Sequence, residues 1–141
     1  MQTAEAKAEM RLQVKVLKTN KLLEPTQSLW CLPIILVRKE NGSFRMCIGF
    51  RKVNQATFVQ YQTLVSKGEV VDVFGEKRPN NFSILDMISG YHQVTISPYS
   101  KKYTAFTTDD GEHICYNWLA FGLSNAPAHF MHALFQRSIN R

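Results

Sequence analysis

Two runs of apolar or β-prone residues, Leu32–Val37 and Phe44–Phe50, are joined by Glu40-Asn41-Gly42-Ser43. Asn-Gly between two such runs is the strongest short-range signal for a β-hairpin, because both residues accept the left-handed backbone angles of a tight turn. The sequence therefore predicts a hairpin at this position, and this hairpin is the feature that most constrains the fold.

Two helices are predicted, one near each end of the chain. Residues Ala4–Lys18 contain neither Gly nor Pro, and their apolar side chains recur at helical spacing. The second helix should begin near Ser124-Asn125-Ala126-Pro127, since Ser and Asn cap helices and Pro fits the first turn. It should run to about Ile139.

The remaining elements are predicted to be short strands. A second hairpin is expected from Tyr103–Thr107 and His113–Trp118, around the turn residues Asp109-Asp110-Gly111. The apolar run Phe82–Asp86 predicts a buried strand that ends on an acid, and a further strand is expected near Gln93–Ile96.

Gln55–Asn81 has little periodicity and contains the breakers Gly68, Gly75 and Pro79, so an irregular connector is expected there. Strands and helices alternate without a βαβ rhythm, so the predicted fold class is α+β.

The bulk composition indicates a globular intracellular chain. The 141 residues, 45% of them apolar, suit one domain or a fragment of one. No apolar run reaches the roughly 18 residues of a membrane span, and the charged N-terminal segment does not resemble a secretory signal, so no membrane partner is expected. The three cysteines, Cys31, Cys47 and Cys115, show no metal or disulfide spacing and are expected to be reduced.

The net charge of +6 suits a polyanionic partner. Residues 1–80 hold 13 Lys and Arg against 7 Asp and Glu, whereas residues 81–141 hold 4 against 4. A bound polyanion is therefore expected to be held mainly by the first half of the chain.

Asp86 is the main candidate for chemistry. A carboxylate at the end of a buried strand has the fixed placement that two-metal phosphoryl transfer requires. The alternative for an acid in this position is a cap on the following turn. The flanking sequence decides between these readings.

Several motifs occur in the order found in gypsy-type LTR-retrotransposon and retroviral reverse transcriptases, and together they cover about residues 10–139. Ile84-Leu85-Asp86-Met87-Ile88-Ser89-Gly90-Tyr91-His92-Gln93-Val94 resembles the first palm motif of that family. The other matching segments are Ser28-Leu29-Trp30-Cys31-Leu32-Pro33-Ile34-Ile35-Leu36-Val37-Arg38-Lys39, Gly42-Ser43-Phe44-Arg45-Met46-Cys47-Ile48, Lys102-Tyr103-Thr104-Ala105-Phe106 and Phe121-Gly122-Leu123-Ser124-Asn125-Ala126-Pro127-Ala128-His129-Phe130.

The resemblance implies a nucleotide site. Asp86 would be the first catalytic, metal-binding aspartate, with two Mg²⁺ expected in the complete enzyme, and Tyr91 would be the aromatic gate that excludes a 2′ hydroxyl and so selects dNTP over rNTP. The other residues that it places at the nucleotide are Ser89, Gly90, Phe121, Arg45 and either Arg38 or Lys39, the basic ones because they pair with phosphate oxygens.

The resemblance also implies contacts with an RNA or DNA template-primer through Arg51, Asn54, Gly122 and Pro127. It predicts fingers over about 1–80 and 97–125, and the first part of the palm over about 81–96 and 126–141, of a right-hand polymerase. A Pol polyprotein would supply the rest of the palm, the thumb and RNase H. The chain reaches Arg141 before the Tyr-x-Asp-Asp motif of the family, so little activity is expected from it alone.

Each of these residues also has a purely structural reading. Tyr91 could be a half-buried core aromatic, and the basic residues could form a solvated strand face. Asp109-Asp110 precedes Gly111 in a predicted exposed turn and is not expected to replace the missing aspartates. His113, Cys115, His129 and His132 could be drawn as a zinc site, but surface histidines and a buried thiol fit their spacing better.

Three departures from the family concern the fingers. Gly49 replaces an acid two residues before Arg51, Ala120 replaces a proline before Phe121, and the Pro-rich part of the connector is unrecognisable. Besides a polymerase fragment, the sequence therefore allows a non-catalytic nucleic-acid-binding module or a degenerate remnant that folds poorly. Phe130, Leu134 and Phe135, at helical spacing, are expected in the core.

Overall fold

The computed structural model describes residues 3–60, 67–84 and 86–139. Its helices and strands, in chain order, are α1 (Ala4–Thr19), β1 (Leu23–Pro25), β2 (Ile34–Arg38), β3 (Phe44–Ile48), α2 (Arg51–Gln55), α3 (Lys67–Lys77), α4 (Pro98–Lys101), β4 (Phe106–Thr107), β5 (His113–Tyr116) and α5 (Ala126–Ile139). Two single-turn 3₁₀ helices lie at Gly90–Gln93 and Lys102–Thr104. The chain is thus of mixed α and β structure, as predicted.

Both predicted hairpins are confirmed. Strands β2 and β3 pair antiparallel from Ile34–Ile48 to Arg38–Phe44, and Gly42 takes the left-handed φ of +83° that the turn requires. Strands β4 and β5 pair around the Asp109-Asp110-Gly111 turn, and β1 adds to the other edge of β5 to give a sheet of order β1-β5-β4. The second hairpin is shorter than predicted, because Tyr103 and Thr104 lie in the 3₁₀ turn.

The predicted terminal helices are confirmed too. Thr3 caps α1 by accepting a hydrogen bond from the Ala6 N–H at 3.3 Å. Helix α5 begins one residue before Pro127, so the proline lies in the first turn, where its missing N–H leaves no bond unmade. None of the helices within the described residues is long and apolar enough to cross a membrane.

The core lies where α1 crosses the three-stranded sheet. Met10 from α1 packs in one buried cluster with Phe106 and Ile114, and the last two have no exposed surface. Leu32, Ile48 and Phe50 extend this cluster toward the β2–β3 hairpin. Hydrophobic burial therefore joins both hairpins and α1 into one body.

The connector prediction was wrong in part. Within the predicted connector, Lys67–Lys77 is helical, and α2 ends at the first connector residue, Gln55; residues 61–66 lie outside the described part of the chain. Gly75 sits inside α3 because a glycine lowers helix stability by only about 1 kcal/mol and does not by itself end a helix. The side chains of α3 from Glu69 to Lys77 are exposed, and Phe74 contacts Phe82 with the ring centroids 5.0 Å apart.

The two strands predicted around the palm motif were also wrong. Phe82 and Ile84 are 63% and 95% exposed and belong to no strand, and Leu85 lies outside the described residues. A strand needs a hydrogen-bonded neighbour, and none of the described strands pairs with this segment. The strand expected near Gln93–Ile96 reduces to one bridge, between Thr95 and Trp118, because the chain turns through a 3₁₀ helix just before it.

Two smaller predictions need correction. Phe135 is 57% exposed rather than buried, since it lies on the outer face of α5. His113 is not a free surface histidine: its Nδ1 lies 2.9 Å from the Thr107 hydroxyl and its Nε2 lies 3.0 Å from the Ser28 carbonyl oxygen. The Cys115 thiol is buried as expected, and burial raises its pKa.

Candidate nucleotide-binding site

The β2–β3 hairpin places its basic side chains at an open groove of about 500 Å³ that Arg38, Lys39 and Arg45 line together. All three side chains are exposed, and none of them forms an ion pair with another described residue. The turn itself is held by the Lys39 N–H, which donates to the Ser43 carbonyl oxygen at 2.8 Å. The hairpin thus presents three cations and one carboxylate, Glu40, at this groove, and the three cations form no ion pair with the described residues.

Arg45 also lines a second groove, of about 780 Å³, which runs along the free edge of β3 between α1 and the aromatic side chains of His92 and Phe121. Gln13 of α1 satisfies two backbone groups of this edge. Its side-chain N–H donates to the Phe44 carbonyl oxygen at 2.7 Å, and its side-chain oxygen accepts from the Met46 N–H at 3.0 Å. Arg45 is therefore shared by the hairpin groove and by the groove that reaches Phe121.

Four rings meet beyond Arg45. The Tyr91 ring lies 4.9 Å from Phe121 and 5.4 Å from Phe130, measured between centroids, and His92 lies 5.3 Å from Phe121. Gly90 makes this packing possible, since a Cβ at this position would come within 2.6 Å of Phe130. The structure thus brings together Tyr91, Gly90 and Phe121, three residues that the sequence pattern assigned to the nucleotide.

The backbone before Tyr91 turns sharply. Ser89 has a left-handed φ of +50°, and its carbonyl oxygen accepts a hydrogen bond from the His92 N–H at 2.9 Å. This turn points Tyr91 and His92 toward the same aromatic partner, Phe121. Burial lowers the pKa of His92 below its ordinary value, because a charged imidazole would lose hydration there.

Two of the predicted template residues touch one another. The Asn54 side-chain N–H donates to the Gly122 carbonyl oxygen at 2.8 Å, and its carbonyl oxygen accepts from the Ser124 N–H at 2.9 Å. Arg51 opens α2 with an exposed side chain, and Pro127 is exposed in the first turn of α5.

Asp86 is exposed, and no described contact joins it to Tyr91 or to the basic hairpin. Its predicted position at the end of a buried strand is not observed, for want of a paired neighbour. Among the described residues there is also no group of three or more His, Cys, Asp or Glu side chains that could hold a metal ion. The described carboxylates do not by themselves form a two-metal site.

The Asp109-Asp110 turn has a structural role. Asp109 accepts from the Arg11 guanidinium at 2.7 Å, and this hydrogen bond lowers the pKa of the Asp109 carboxyl. Asp110 accepts from the Thr108 hydroxyl, which lowers its pKa as well. Lys18 forms a parallel ion pair with Glu112 at 2.6 Å. These bonds fasten α1 to the β4–β5 turn.

Residues 37–140 match the model of the reverse transcriptase (RNA-dependent DNA polymerase) family, and this match covers well over half of the chain. The chain belongs to the reverse transcriptase family.

Among its relatives are two polyproteins. The chain is 31% identical over 128 residues to the retrovirus-related Pol polyprotein from transposon 412 of Drosophila melanogaster, and 33% identical over 136 residues to the enzymatic polyprotein of cauliflower mosaic virus strain CM-1841. These alignments use 86% and 94% of this chain. This chain covers only 10% and 19% of the two relatives' own lengths.

Solved structures confirm the polymerase fold. The native protease-reverse transcriptase of prototype foamy virus superposes with a TM-score of 0.76 at 24% identity, covering 95% of this chain and 18% of that one. A foamy viral protease-reverse transcriptase in complex with double-stranded DNA superposes with a TM-score of 0.75 at 22% identity, covering 99% and 23%. The likeness shows that the chain has the N-terminal part of the reverse transcriptase fold.

The sequence reading of this reverse transcriptase domain missed three residues around the site. His92 lay inside the quoted motif without an assigned role, Phe130 was expected to be a core residue, and Asn125 was read as a helix cap. In the structure, Phe130 packs on Tyr91, and the Asn125 side chain bonds the backbone of Phe58 and Gln60 at 2.8 and 3.0 Å. A single sequence does not show which aromatic rings pack together. The position of Phe130, one turn into α5 and close in sequence to Phe121, was the one available indication.

Proposed function

We propose that this chain is the part of an RNA-directed DNA polymerase that receives the incoming dNTP and the template. The observation that carries the proposal is that Arg45, from the hairpin, and Phe121, which packs on Tyr91, line the same groove. These residues come from three distant segments of the sequence. Arg45 places a cation in this groove and Phe121 places a flat ring in it, with Tyr91 packed on Phe121, and a nucleotide site needs both kinds of group.

In this proposal Arg45 and its neighbours Arg38 and Lys39 bind the triphosphate. Guanidinium groups suit this task because their N–H groups pair phosphate oxygens two at a time. Tyr91, held between Phe121 and Phe130, would lie under C2′ of the sugar and leave no room for a 2′ hydroxyl. Ser89 and Gly90 would contribute backbone along the nucleotide. Selection of dNTP over rNTP would then come from a clash.

Asp86 is proposed as one carboxylate ligand of the Mg²⁺ pair in a complete polymerase. Bound Mg²⁺ would activate the primer 3′ hydroxyl and neutralise the leaving pyrophosphate. The described residues do not fit the metal pair by themselves, since Asp86 is the only carboxylate of the palm motif and lies exposed. The metal-dependent step therefore needs carboxylates from other parts of a polymerase.

The proposed partners are an RNA or DNA template-primer, dNTP and the rest of a Pol polyprotein, meaning the remaining palm, the thumb and RNase H. Arg51, Gly122 and Pro127 are proposed to face the template backbone, with fingers over about 1–80 and 97–125 and palm over about 81–96 and 126–141. Phosphate contacts of this kind position a duplex without reading its sequence.

The test is retention on an RNA·DNA hybrid as a function of salt. Affinity for the hybrid should fall steeply with ionic strength, and Arg51→Ala should reduce the salt slope by about 1, whereas Arg45→Ala should mainly weaken the binding of dATP. Lys7→Ala, which removes an exposed cation in the first turn of α1 that lines neither groove, is the matched control. Affinity that is flat with salt, or equal losses in all three variants, would refute the proposal.

A non-catalytic nucleic-acid-binding module is the second candidate. The exposed position of Asp86, which has no described contact with the basic hairpin or Tyr91, favours it, because the hairpin could bind a hybrid without any metal site. The two candidates differ in nucleotide selection: the polymerase part should prefer dATP to ATP, whereas a binding module should bind the hybrid and distinguish neither nucleotide.

A further inference from the structure

The loop that carries Phe121 is joined to α2 by an exchange of hydrogen bonds between two asparagines and the backbone. Asn54 of α2 bonds the backbone of Gly122 and Ser124, at 2.8 and 2.9 Å. Asn125 bonds in the opposite direction, to the backbone of Phe58 and Gln60, which follow α2. Each segment thus contributes one amide that binds the main chain of the other.

The Asn54 bonds fall directly beside Phe121. They hold the carbonyl of the next residue, Gly122, and the N–H of Ser124. Gly122 has a φ of +99°, and a Cβ there would touch the buried Phe50 ring at 3.4 Å. Phe50 in turn accepts the Asn54 backbone N–H at 2.8 Å. Helix α2 and the Phe121 loop therefore dock as one unit.

We infer that Asn54 is a positioning residue for sugar selection, which it serves by holding the Phe121 ring against Tyr91. The inference rests on the proposed function and changes the role of Asn54 within it. One donor and the acceptor of its side-chain amide are engaged inside the protein, so its main task is not a direct contact with the template. Phe121 makes one of the two phenylalanine contacts of the Tyr91 ring, so the position of that ring depends in part on the loop that carries Phe121.

The test compares two asparagines with equal numbers of bonds. Asn54→Ala should remove the two side-chain hydrogen bonds to the Phe121 loop. Asn125→Ala should remove the two hydrogen bonds to the backbone of Phe58 and Gln60 and leave the Asn54 bonds in place. Asn54→Asp keeps an acceptor for the Ser124 N–H but cannot donate to Gly122, so it should behave like Asn54→Ala. Gln55→Ala, next to Asn54 on α2 with an exposed amide, controls for changes to the helix.

Two measurements on the whole chain decide the matter. The first is the NOE between the ring protons of Tyr91 and Phe121, which should weaken in both Asn54 variants and persist in Asn125→Ala and Gln55→Ala. The second is the ratio of ATP to dATP dissociation constants in buffer with MgCl₂. Loss of the exposed hydrogen bonds should reduce this ratio by about threefold to tenfold in the Asn54 variants alone.

Thermal unfolding shows that each variant is folded before the NOE is interpreted. An unchanged ring NOE and an unchanged nucleotide ratio in Asn54→Ala, together with weaker binding of the RNA·DNA hybrid, would make Asn54 a template contact and overturn the inference. If the unsubstituted chain bound no nucleotide, the proposed function and the role in sugar selection would fail together. The NOE would still establish whether Asn54 positions Phe121.

Discussion

Gly122→Ala should show whether the Phe121 loop matters for dATP binding beyond its contribution to the stability of the chain. Gly122 has a φ of +99°, where an L-residue costs roughly 1–2 kcal/mol. The added Cβ would lie 3.4 Å from Phe50, an ordinary contact that adds little. For a domain of this size, the strain corresponds to a decrease in the melting temperature of about 3–8 °C.

Gly111→Ala is the matched control. Gly111 has a similar φ of +88° and open space around it, in the β4–β5 turn away from the aromatic rings. Both variants should lose a similar amount of stability in a circular dichroism melt, because the backbone strain is the same. Only Gly122→Ala should weaken dATP binding, since only that glycine adjoins Phe121. Equal dATP affinity in the two variants, or a melting temperature unchanged in both, would refute this reasoning.

Three further predictions concern the core and two titrating groups. Phe106→Ala should reduce the free energy of unfolding by about 3–5 kcal/mol in a urea titration, because Phe106 has no exposed surface, whereas Phe135→Ala should change little. Burial lowers the pKa of His92, so the unfolded chain binds this proton at a higher pH than the folded chain does. The free energy of unfolding should therefore fall as the pH drops below about 6.5. In His92→Gln, the melting temperature should depend less on pH in this range. The Arg11 hydrogen bond lowers the pKa of Asp109, so its contribution is present above the ordinary pKa of 3.8 and is lost as the pH falls through the folded value. Asp109→Asn should remove this acid dependence, and an unchanged acid limb would contradict it.

Local chemistry made part of the fold predictable. The β2–β3 hairpin follows from Asn41-Gly42, and Gly42 has the positive φ that the turn type requires. Helix α1 follows from its periodicity and α5 from its first-turn proline, because caps and turns depend on residues a few positions apart. For the same reason the resemblance to reverse transcriptases could be recognised from short motifs.

Long-range partners made the rest unpredictable. The apolar run before Asp86 was expected to be a buried strand, but strand formation depends on a neighbouring strand, which no local pattern reveals. The sequence also could not show which backbone groups two asparagines would bind. The Asn54 side chain donates to the backbone near Asn125, and the Asn125 side chain donates to the backbone near Asn54, although the two residues are 71 positions apart. Most side-chain hydrogen bonds go to backbone, and their partners are set by the tertiary fold.

The most direct test of the nucleotide site is the set of intermolecular NOEs between dATP and the chain in buffer with MgCl₂. NOEs are expected from the 2′ protons of the deoxyribose to the rings of Tyr91 and Phe121. The Arg45 guanidinium resonances are expected to shift on addition of the triphosphate. Deoxyribose NOEs to a different surface, with Tyr91, Phe121 and Arg45 unaffected, would contradict the proposed nucleotide site.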